Sequence, residues 1–255
     1  MNKYMMRCAL NGVELYSLSD RIYIQEITEK PMLRTDTAPR AHYGLTASGF
    51  LQHESMTVEI AFMIKERSPA YRAEILQRIN GWATEGYLTV GHRPGQRMYA
   101  RCTDLPVAKT FRWTEEMSIV FTAYNEACWE DAEPLAQTVT DETNAVLEAF
   151  RARGTMPCFL EADIVNTSGE TLTEITLSAN GDTIALTGLS VADGKTVSLF
   201  YDEEHYMIIQ ADGQDVMDKR TGADDLLLNP GDGNQVSCVT DVACDTTFKA
   251  RGMYR

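Results

Sequence analysis

The sequence predicts a mostly β protein, all-β or α+β in class, in which an N-terminal β-domain with one packed helix precedes a β-sandwich. Three observations lead to this prediction: one strictly alternating apolar run, one capped amphipathic segment, and a series of short β-rich runs separated by turn residues. A length of 255 residues is enough for two domains of ordinary size. With 44% hydrophobic and 24% charged residues, the composition is that of a globular protein.

The first domain is predicted to span residues 1–130 and to consist mainly of strands. Residues 56–64 alternate strictly between apolar and other side chains, which indicates a strand with one buried face. The apolar positions are Met56, Val58, Ile60, Phe62 and Ile64. Further β-rich runs at 21–27, 87–102 and 117–124 predict a short strand, a hairpin and a final strand.

One helix is predicted over residues 69–82. Ser68 is a suitable N-cap, Pro69 fits the first helical turn, and Gly86 is expected to end the segment. An apolar stripe recurs at helical spacing and comprises Tyr71, Ile75, Leu76, Ile79 and Trp82. A stripe of this kind packs on the domain's own sheet more often than it binds a partner, so we expect a packed helix.

Residues 28–55 are predicted to form a long loop or arm. They contain Pro31, Pro39, Gly44 and Gly49 and show little periodicity. Because long unstructured loops are uncommon in compact domains, an arm of this length is expected to have a function of its own or to be disordered.

Residues 131–154 are predicted to be a connector, polar and acidic at first and briefly helical over 144–152. A β-sandwich is then predicted over residues 155–255, where six to eight short β-rich runs follow one another with turn residues between them. The Asn180-Gly181 pair, which lies between two such runs, is a strong hairpin signal.

The charge is divided unevenly along the chain. Residues 1–130 contain 15 basic and 15 acidic residues, whereas residues 131–255 contain 8 basic and 22 acidic ones, which accounts for the whole net charge of −14. An acidic half without basic patches disfavours nucleic-acid contact and binding to anionic membranes. The sequence also shows no signal peptide and no apolar run long enough for a membrane span.

The cysteine pattern predicts neither a metal site nor a disulfide framework. The six cysteines are scattered, without CxxC pairs, and most lie in apolar β-rich runs where a free thiol acts as a small buried hydrophobe. We therefore expect the chain to be made and folded in a reducing cytosol.

No catalytic, cofactor-binding or metal-binding residues are predicted. The sequence contains no nucleophile elbow and no phosphate-binding loop, and its four histidines lie in unrelated contexts: His42, His53, His92 and His205. The strongest metal candidate is the segment Asp202-Glu203-Glu204-His205 with Asp212 and Asp215 nearby. Its spacing does not match a calcium loop, so solvated turn residues are the preferred interpretation. Glu115-Glu116 is interpreted as a solvent-facing turn before a strand.

Two other interpretations of the second half stay open. A pair of carboxylates in an acidic sandwich would suit a hydrolase, but their separation in space cannot be read from the sequence. A sugar site would need exposed aromatic side chains, and the second half has few of these, among them Tyr201 and Tyr206, and no tryptophan.

The ordered set of features resembles the distal tail protein family of siphophages, the phages or prophages with long non-contractile tails. In the first half, the resemblance rests on the arm, the alternating strand, the helix ending in Trp82, the hairpin, and the strand that leads to Trp129. In the second half it rests on the runs Asn180-Gly181-Asp182 through Leu189, Leu226-Leu227-Leu228-Asn229-Pro230-Gly231 through Val236, and Arg251-Gly252-Met253-Tyr254-Arg255. Tyr254 stands where the family's ending often carries tryptophan.

The resemblance implies a structural protein that is not an enzyme. It implies a homohexameric ring at the tail tip, a galectin-like second domain, and a hub that joins the tail tube protein to the tail-associated or receptor-binding proteins of the host-adsorption apparatus. Such a protein is made in the cytoplasm of the bacterial host and ends up in the virion. The alternative function is that of a carbohydrate-binding module in host-surface recognition.

Overall fold

The computed structural model describes residues 6–30, 34–37, 50–53, 56–106, 116–123 and 129–254. The chain divides into two compact units, Met1–Trp129 (unit 1) and Glu130–Arg255 (unit 2). Both are built on antiparallel sheets, and the described residues contain one α-helix. The predicted fold class, mostly β with a single helix, is therefore confirmed.

Unit 1 contains one large antiparallel sheet. In chain order its strands are β1 (Cys8–Leu10), β2 (Val13–Glu14), β3 (Ile22–Lys30), β4 (Arg34–Thr37), β5 (Phe50–His53), β6 (Thr57–Ile64), β7 (Glu85–Val90), β8 (Gln96–Asp104) and β9 (Glu116–Ala123). The large sheet has the order β2-β1-β7-β8-β9-β6-β3, and β4 and β5 form a separate two-stranded ladder. The predicted alternation holds in β6, where Val58, Ile60 and Phe62 are completely buried.

The helix α1 (Pro69–Trp82) packs on this sheet and has the predicted bounds. Ile75, Leu76, Ile79 and Trp82 are buried, and the Trp82 ring meets Phe121 edge-on at 5.9 Å between centroids. The Trp82 indole N–H donates to the carbonyl of Val13 at 2.8 Å.

Two details of the helix prediction are wrong. Tyr71 does not belong to the buried stripe, since 64% of it is exposed. The helix also ends at Trp82, before Gly86, which lies in β7. Ser68 is the N-cap residue as predicted, although its side chain makes no capping bond. Gly86 has φ +152°, and a Cβ there would collide with the side chain of Asn11.

The prediction of a loop over residues 28–55 is also partly wrong. Residues 28–30 continue β3, and β4 pairs with β5 in the register Arg34↔His53 to Thr37↔Phe50. β4 and β5 have four residues each, and their backbone pairing leaves no periodic pattern of side chains in the sequence, so they could not be predicted. Residues 31–33, 38–49 and 54–55 lie outside the described part of the chain.

Unit 2 begins at Glu130, within β10 (Trp129–Asp131), and contains most of the strands. The others are β11 (Leu135–Ala152), β12 (Cys158–Asn166), β13 (Leu172–Ala179), β14 (Asp182–Val191), β15 (Thr196–Tyr201), β16 (Met207–Ala211), β17 (Gln214–Asp215), β18 (Arg220–Gly222), β19 (Leu227–Leu228), β20 (Gly231–Ala250) and β21 (Met253–Tyr254). The main order is β17-β16-β15-β12-β20-β13-β14-β18, with β11 also paired to β20 and β19 to β12.

The long strand β20 pairs with three other strands of unit 2. Its residues 236–240 pair with β13, and its residues 244–250 pair with β12. The strand β11 follows β20 along both stretches. Phe150 of β11 and Phe248 of β20 meet in the core, 6.5 Å apart between ring centroids, and both are fully buried.

The predicted connector over residues 131–154, with its helical stretch over 144–152, is wrong. Most of these residues form β11, which is held to the sheet by its ladder with β20. In β11, Ala145, Phe150 and Ala152 are buried, a spacing that the sequence reading assigned to a helix. Within the described residues no helix is long and apolar enough to cross a membrane.

Candidate assembly interface

The edge strand β3 offers unit 1 a long open edge. Among the described strands it pairs only with β6, in the register Ile22↔Ile64 to Lys30↔Thr57. The opposite edge of the same sheet is β2, which has only two residues. A nine-residue edge strand presents backbone donors and acceptors to a further strand, so β3 is a candidate interface for assembly.

The first half of β3 is anchored by apolar burial. Ile22 is 1% exposed and Ile24 is 6% exposed, while Tyr23 between them points outward and is 42% exposed. The Lys65 ammonium lies 4.0 Å above the centre of the Tyr23 ring, which is a cation–π contact. A register shift between Ile24 and Glu26 then interrupts the pairing with β6.

The second half of β3 is anchored by charge. The Glu29 carboxylate accepts two bonds from the Arg93 guanidinium, Nε at 2.8 Å and Nη2 at 2.7 Å, and a further one from His92 Nε2. Burial alone would raise the pKa of Glu29, but the hydrogen bonds and charges of Arg93 and His92 outweigh it and hold that pKa below the ordinary value. The cluster ties β3 to the turn between β7 and β8.

Two open clefts flank the ends of β3. One has a volume of about 370 Å³ and is lined by Glu29, His92, Arg93, Pro94 and Gln96. The other has a volume of about 400 Å³ and is lined by Arg7, Glu14, Tyr16, Asp20, Ile22 and Tyr23. An open edge between two clefts is suited to receiving a strand and its flanking side chains from a protein partner.

The predicted metal candidate in unit 2 is a set of turn residues. The Asp202 carboxylate accepts the backbone N–H groups of Glu204 and Tyr206 and so closes the turn between β15 and β16. Asp212 pairs with Lys195, and Asp215 accepts the N–H of Met217. No group of metal-ligating side chains of the size an ion needs was found within the described ranges.

The two tyrosines weighed for sugar binding have different environments. The Tyr201 ring stacks on Phe159 at 4.2 Å, and its hydroxyl accepts the N–H of Leu226, so one face of the ring is covered. Tyr206 is 66% exposed. Of these two tyrosines, only Tyr206 therefore presents an exposed ring on which a sugar could stack.

The histidines, the Glu115-Glu116 pair and the cysteines named from the sequence have structural roles or lie outside the described residues. His92 belongs to the Glu29 cluster, His205 packs 5.3 Å from Phe159 between ring centroids, and His53 lies in β5. His42 and Glu115 are outside the described residues, and Glu116 begins β9. Burial raises the pKa of the Cys8, Cys158 and Cys238 thiols to about 12, as expected of buried free cysteines.

The Asn180 and Asn229–Gln235 motifs form one hydrogen-bonded unit. The buried Asn234 carboxamide accepts from Asn180 Nδ2 at 2.9 Å and from the Asn229 N–H at 2.7 Å, and it donates to the carbonyls of Phe150 and Asn229. Every polar atom of this side chain is thus satisfied without water. The motif that carried the resemblance therefore fixes the turn between β13 and β14 against the start of β20.

The chain end is held by a second buried polar contact. The Asp131 carboxylate accepts the Tyr254 hydroxyl at 3.0 Å and the Gly252 N–H at 3.2 Å. A Cβ at Gly252 would lie 2.8 Å from both the Asp131 carboxylate and the Arg153 backbone, so glycine is required for this close approach. Arg251 Nη1 donates to the carbonyl of Ala132 at 2.6 Å.

Two comparisons by sequence find no match, neither to a known family nor to a curated protein. Solved structures do match. The crystal structure of the SPP1 Dit (gp 19.1) protein, a paradigm of the hub adsorption apparatus in phages that infect Gram-positive bacteria, superposes with a TM-score of 0.66 and 12% identity, covering 96% of this chain and 98% of that one.

A chain of the phage P2 baseplate in its activated, calcium-bound conformation matches with a TM-score of 0.50 and 9% identity, covering 91% of this chain and 90% of that one. At such low identity these likenesses establish the fold. The resemblance to the distal tail protein family that the sequence predicted is confirmed at that level: this chain has the fold of a phage distal tail protein along nearly its whole length.

Proposed function

We propose that this protein is a structural hub of a phage tail tip, a distal tail protein that forms a homohexameric ring. The observation that carries the proposal is the match to the SPP1 Dit protein, because it runs through both units of this chain and nearly all of that one. A fold is shared by unrelated functions, so the open edge of β3 provides the second, independent support.

The ring would close through unit 1. A cyclic ring needs a head-to-tail interface, in which one surface of a subunit meets a different surface of the next. The β3 edge with its two clefts supplies one such surface, and the β4–β5 hairpin, which follows β3 after three residues, supplies an arm that reaches the neighbour. With 15 basic and 15 acidic residues in positions 1–130, unit 1 brings no net repulsion to this contact.

In this proposal the ring joins the tail tube protein to tail-associated or receptor-binding proteins, and unit 2 serves as the outward docking domain. The protein would be synthesised in the cytoplasm of the bacterial host and assembled into the virion. It would act without a catalytic site, a metal or a cofactor, and without contact to nucleic acid or insertion into a membrane.

The experiment is a measurement of mass in solution over a wide range of protein concentration, combined with negative-stain microscopy. The expected result is a six-copy ring that dissociates on dilution, as mass action requires. The variant replaces residues 34–53 by a short Gly-Ser linker, and it should keep the thermal unfolding of the parent protein while losing the ring.

A protein that stays monomeric at high concentration would contradict the hexamer. If the linker variant unfolds, the hairpin belongs to the core of its own unit and the arm assignment is wrong.

A further inference from the structure

The strand β11 is the long open edge of unit 2. Among the described strands it pairs only with β20, so the other side of its 18 residues faces outward. The remaining edges of this sheet among the described strands are β17 and β19, with two residues each, and β18, with three. Proteins commonly keep edge strands short to prevent unwanted strand pairing. At 18 residues, β11 is a long edge strand and lacks this protection.

The sequence of β11 shows little of the other protection that edge strands carry. It contains no proline, and residues 135–140 and 143–147 have no charged side chain. None of its first ten residues is buried, so this half of the strand is held by its backbone ladder with β20. The ladder with β20 is regular over residues 135–139 and again over 144–147. Register shifts separate and follow these two stretches, the first of them beside Asp141, which has φ +55°.

The face next to this edge carries two uncharged rows of side chains. Two adjacent rows of side chains start in β11 and run through β20 and β13 to β14, and the second row continues into β18. The positions are Val146, Ser237, Ser178 and Thr183 in one row, and Asn144, Val239, Thr176, Ala185 and Thr221 in the next. Val146 and Val239, near the open edge, are 43% and 46% exposed.

We propose that β11 accepts an extended strand from a different protein, one in which uncharged side chains alternate with basic ones. The open backbone supplies the hydrogen bonds, and the two uncharged rows continue into the side chains of the added strand. Charge selects the source of the strand. Residues 131–255 contain 22 acidic and 8 basic residues, so a second copy of this unit is repelled and a basic partner is attracted.

The test uses the full chain and three synthetic octapeptides, and it is read by hydrogen exchange of the β11 amides. The probe alternates valine and lysine. The second peptide alternates valine and glutamate, and the third is the valine–lysine peptide methylated at every amide nitrogen, which has the same charge but no donors. The probe should slow exchange in residues 135–147, the glutamate peptide should protect less, and the methylated peptide should give no protection.

Two adjacent variants, Gln137→Pro and Thr138→Pro, provide the control in the protein. Of two neighbouring residues in a regular ladder, one N–H points to β20 and the other points outward. A proline that removes an N–H bonded to β20 should lower the melting temperature, whereas a proline that removes an outward N–H should not. In the variant with the unchanged melting temperature, the probe should no longer slow hydrogen exchange of the β11 amides.

The proposal is overturned if the probe leaves residues 135–147 unprotected, if the methylated peptide protects them equally, or if the stable proline variant binds as before. It is also overturned if the full chain self-associates through β11, because the occupant would then be a second copy. Such self-association would appear as a smaller oligomer mass in solution for that proline variant than for the parent protein. A hexamer that forms through unit 1 while β11 stays unprotected would refute this inference and leave the proposed ring intact.

Discussion

The carboxylate of Asp131 lies where the end of the chain returns to the first residues of unit 2, and 10% of its side chain is exposed. A hydrogen bond to a buried charged group contributes about 1.5 to 3 kcal/mol, more than one between neutral groups. Tyr254→Phe removes the hydroxyl donor and leaves the ring, so we expect a loss of about 1 to 3 kcal/mol in the unfolding free energy of unit 2.

Urea unfolding followed by far-ultraviolet circular dichroism measures this loss. The matched control is Tyr206→Phe, which removes a hydroxyl from a ring that is 66% exposed and should leave the midpoint unchanged. Equal midpoints for the two variants would show that the Asp131 contact contributes nothing to stability.

Glu29 makes stability depend on pH at the acidic end. Its folded-state pKa lies below the ordinary value of 4.5, so its contribution is complete above that value and is lost as the pH falls through the folded-state pKa. We expect the melting temperature of the parent protein to fall more steeply below about pH 4.5 than that of Glu29→Gln, which cannot titrate. Parallel melting curves over an acidic pH series would show that the cluster with Arg93 and His92 does not contribute.

The sequence identified members of the buried hydrogen-bonded pairs but not which residues pair with one another. The runs at 226–236 and 251–255 were singled out there, but their partners were not. Tyr254 bonds to a residue 123 positions away, and Asn234 bonds to Asn180 across 54 positions. A single sequence contains no signal for such pairings, because the folded sheet alone brings the partners together.

At the scale of elements, the success of each prediction depends on whether an element buries one face. β6 and α1 do, and their periods of two and 3.6 residues appear directly in the sequence. β11 buries no residue in its first ten positions, so it has no alternation to detect, and its ladder with β20 is a long-range interaction. The same reason explains why the open edges β3 and β11 could not be located from the sequence: an open edge is a property of the sheet order.

The packing of α1 can be tested with one core substitution. Ile79 is completely buried, and Ile79→Ala should lower the unfolding free energy of unit 1 by about 2 to 5 kcal/mol, through lost burial and the cavity that remains. All three tryptophans of the chain lie in residues 1–129, so tryptophan fluorescence during urea unfolding reports on this unit. Tyr71→Ala, at a 64% exposed position of the same helix, is the control and should cost less than 1 kcal/mol. A small effect at Ile79 would mean that α1 is not packed on the sheet as described.

At the scale of the whole molecule, the two units divide two tasks in the proposed hub. Among the described strands each unit has one long open edge, β3 in the neutral unit and β11 in the acidic unit. A neutral edge suits contact between identical copies, whereas an acidic surface repels copies of itself and attracts a basic partner. Added salt screens interactions between charges, so it weakens a contact between oppositely charged surfaces more than a contact between neutral ones. The affinity of the ring contact should therefore change less with salt concentration than the affinity of a partner for unit 2.

The division into units also determines where the chain can be cut. The sequence predicted a sandwich that begins at residue 155, but β11 contributes Ala145, Phe150 and Ala152 to the core and Asp131 holds the chain end. We expect a fragment of residues 130–255 to fold alone with one cooperative transition, because it retains every strand that pairs with β20. A fragment of residues 154–255 lacks the Phe150 side chain, whose loss alone costs about 3 to 5 kcal/mol, and it leaves one side of the 20-residue strand β20 unpaired. It should therefore aggregate or remain unfolded. Circular dichroism and size-exclusion chromatography of the two fragments decide the matter, and equal stability of both would show that β11 is dispensable for the sandwich.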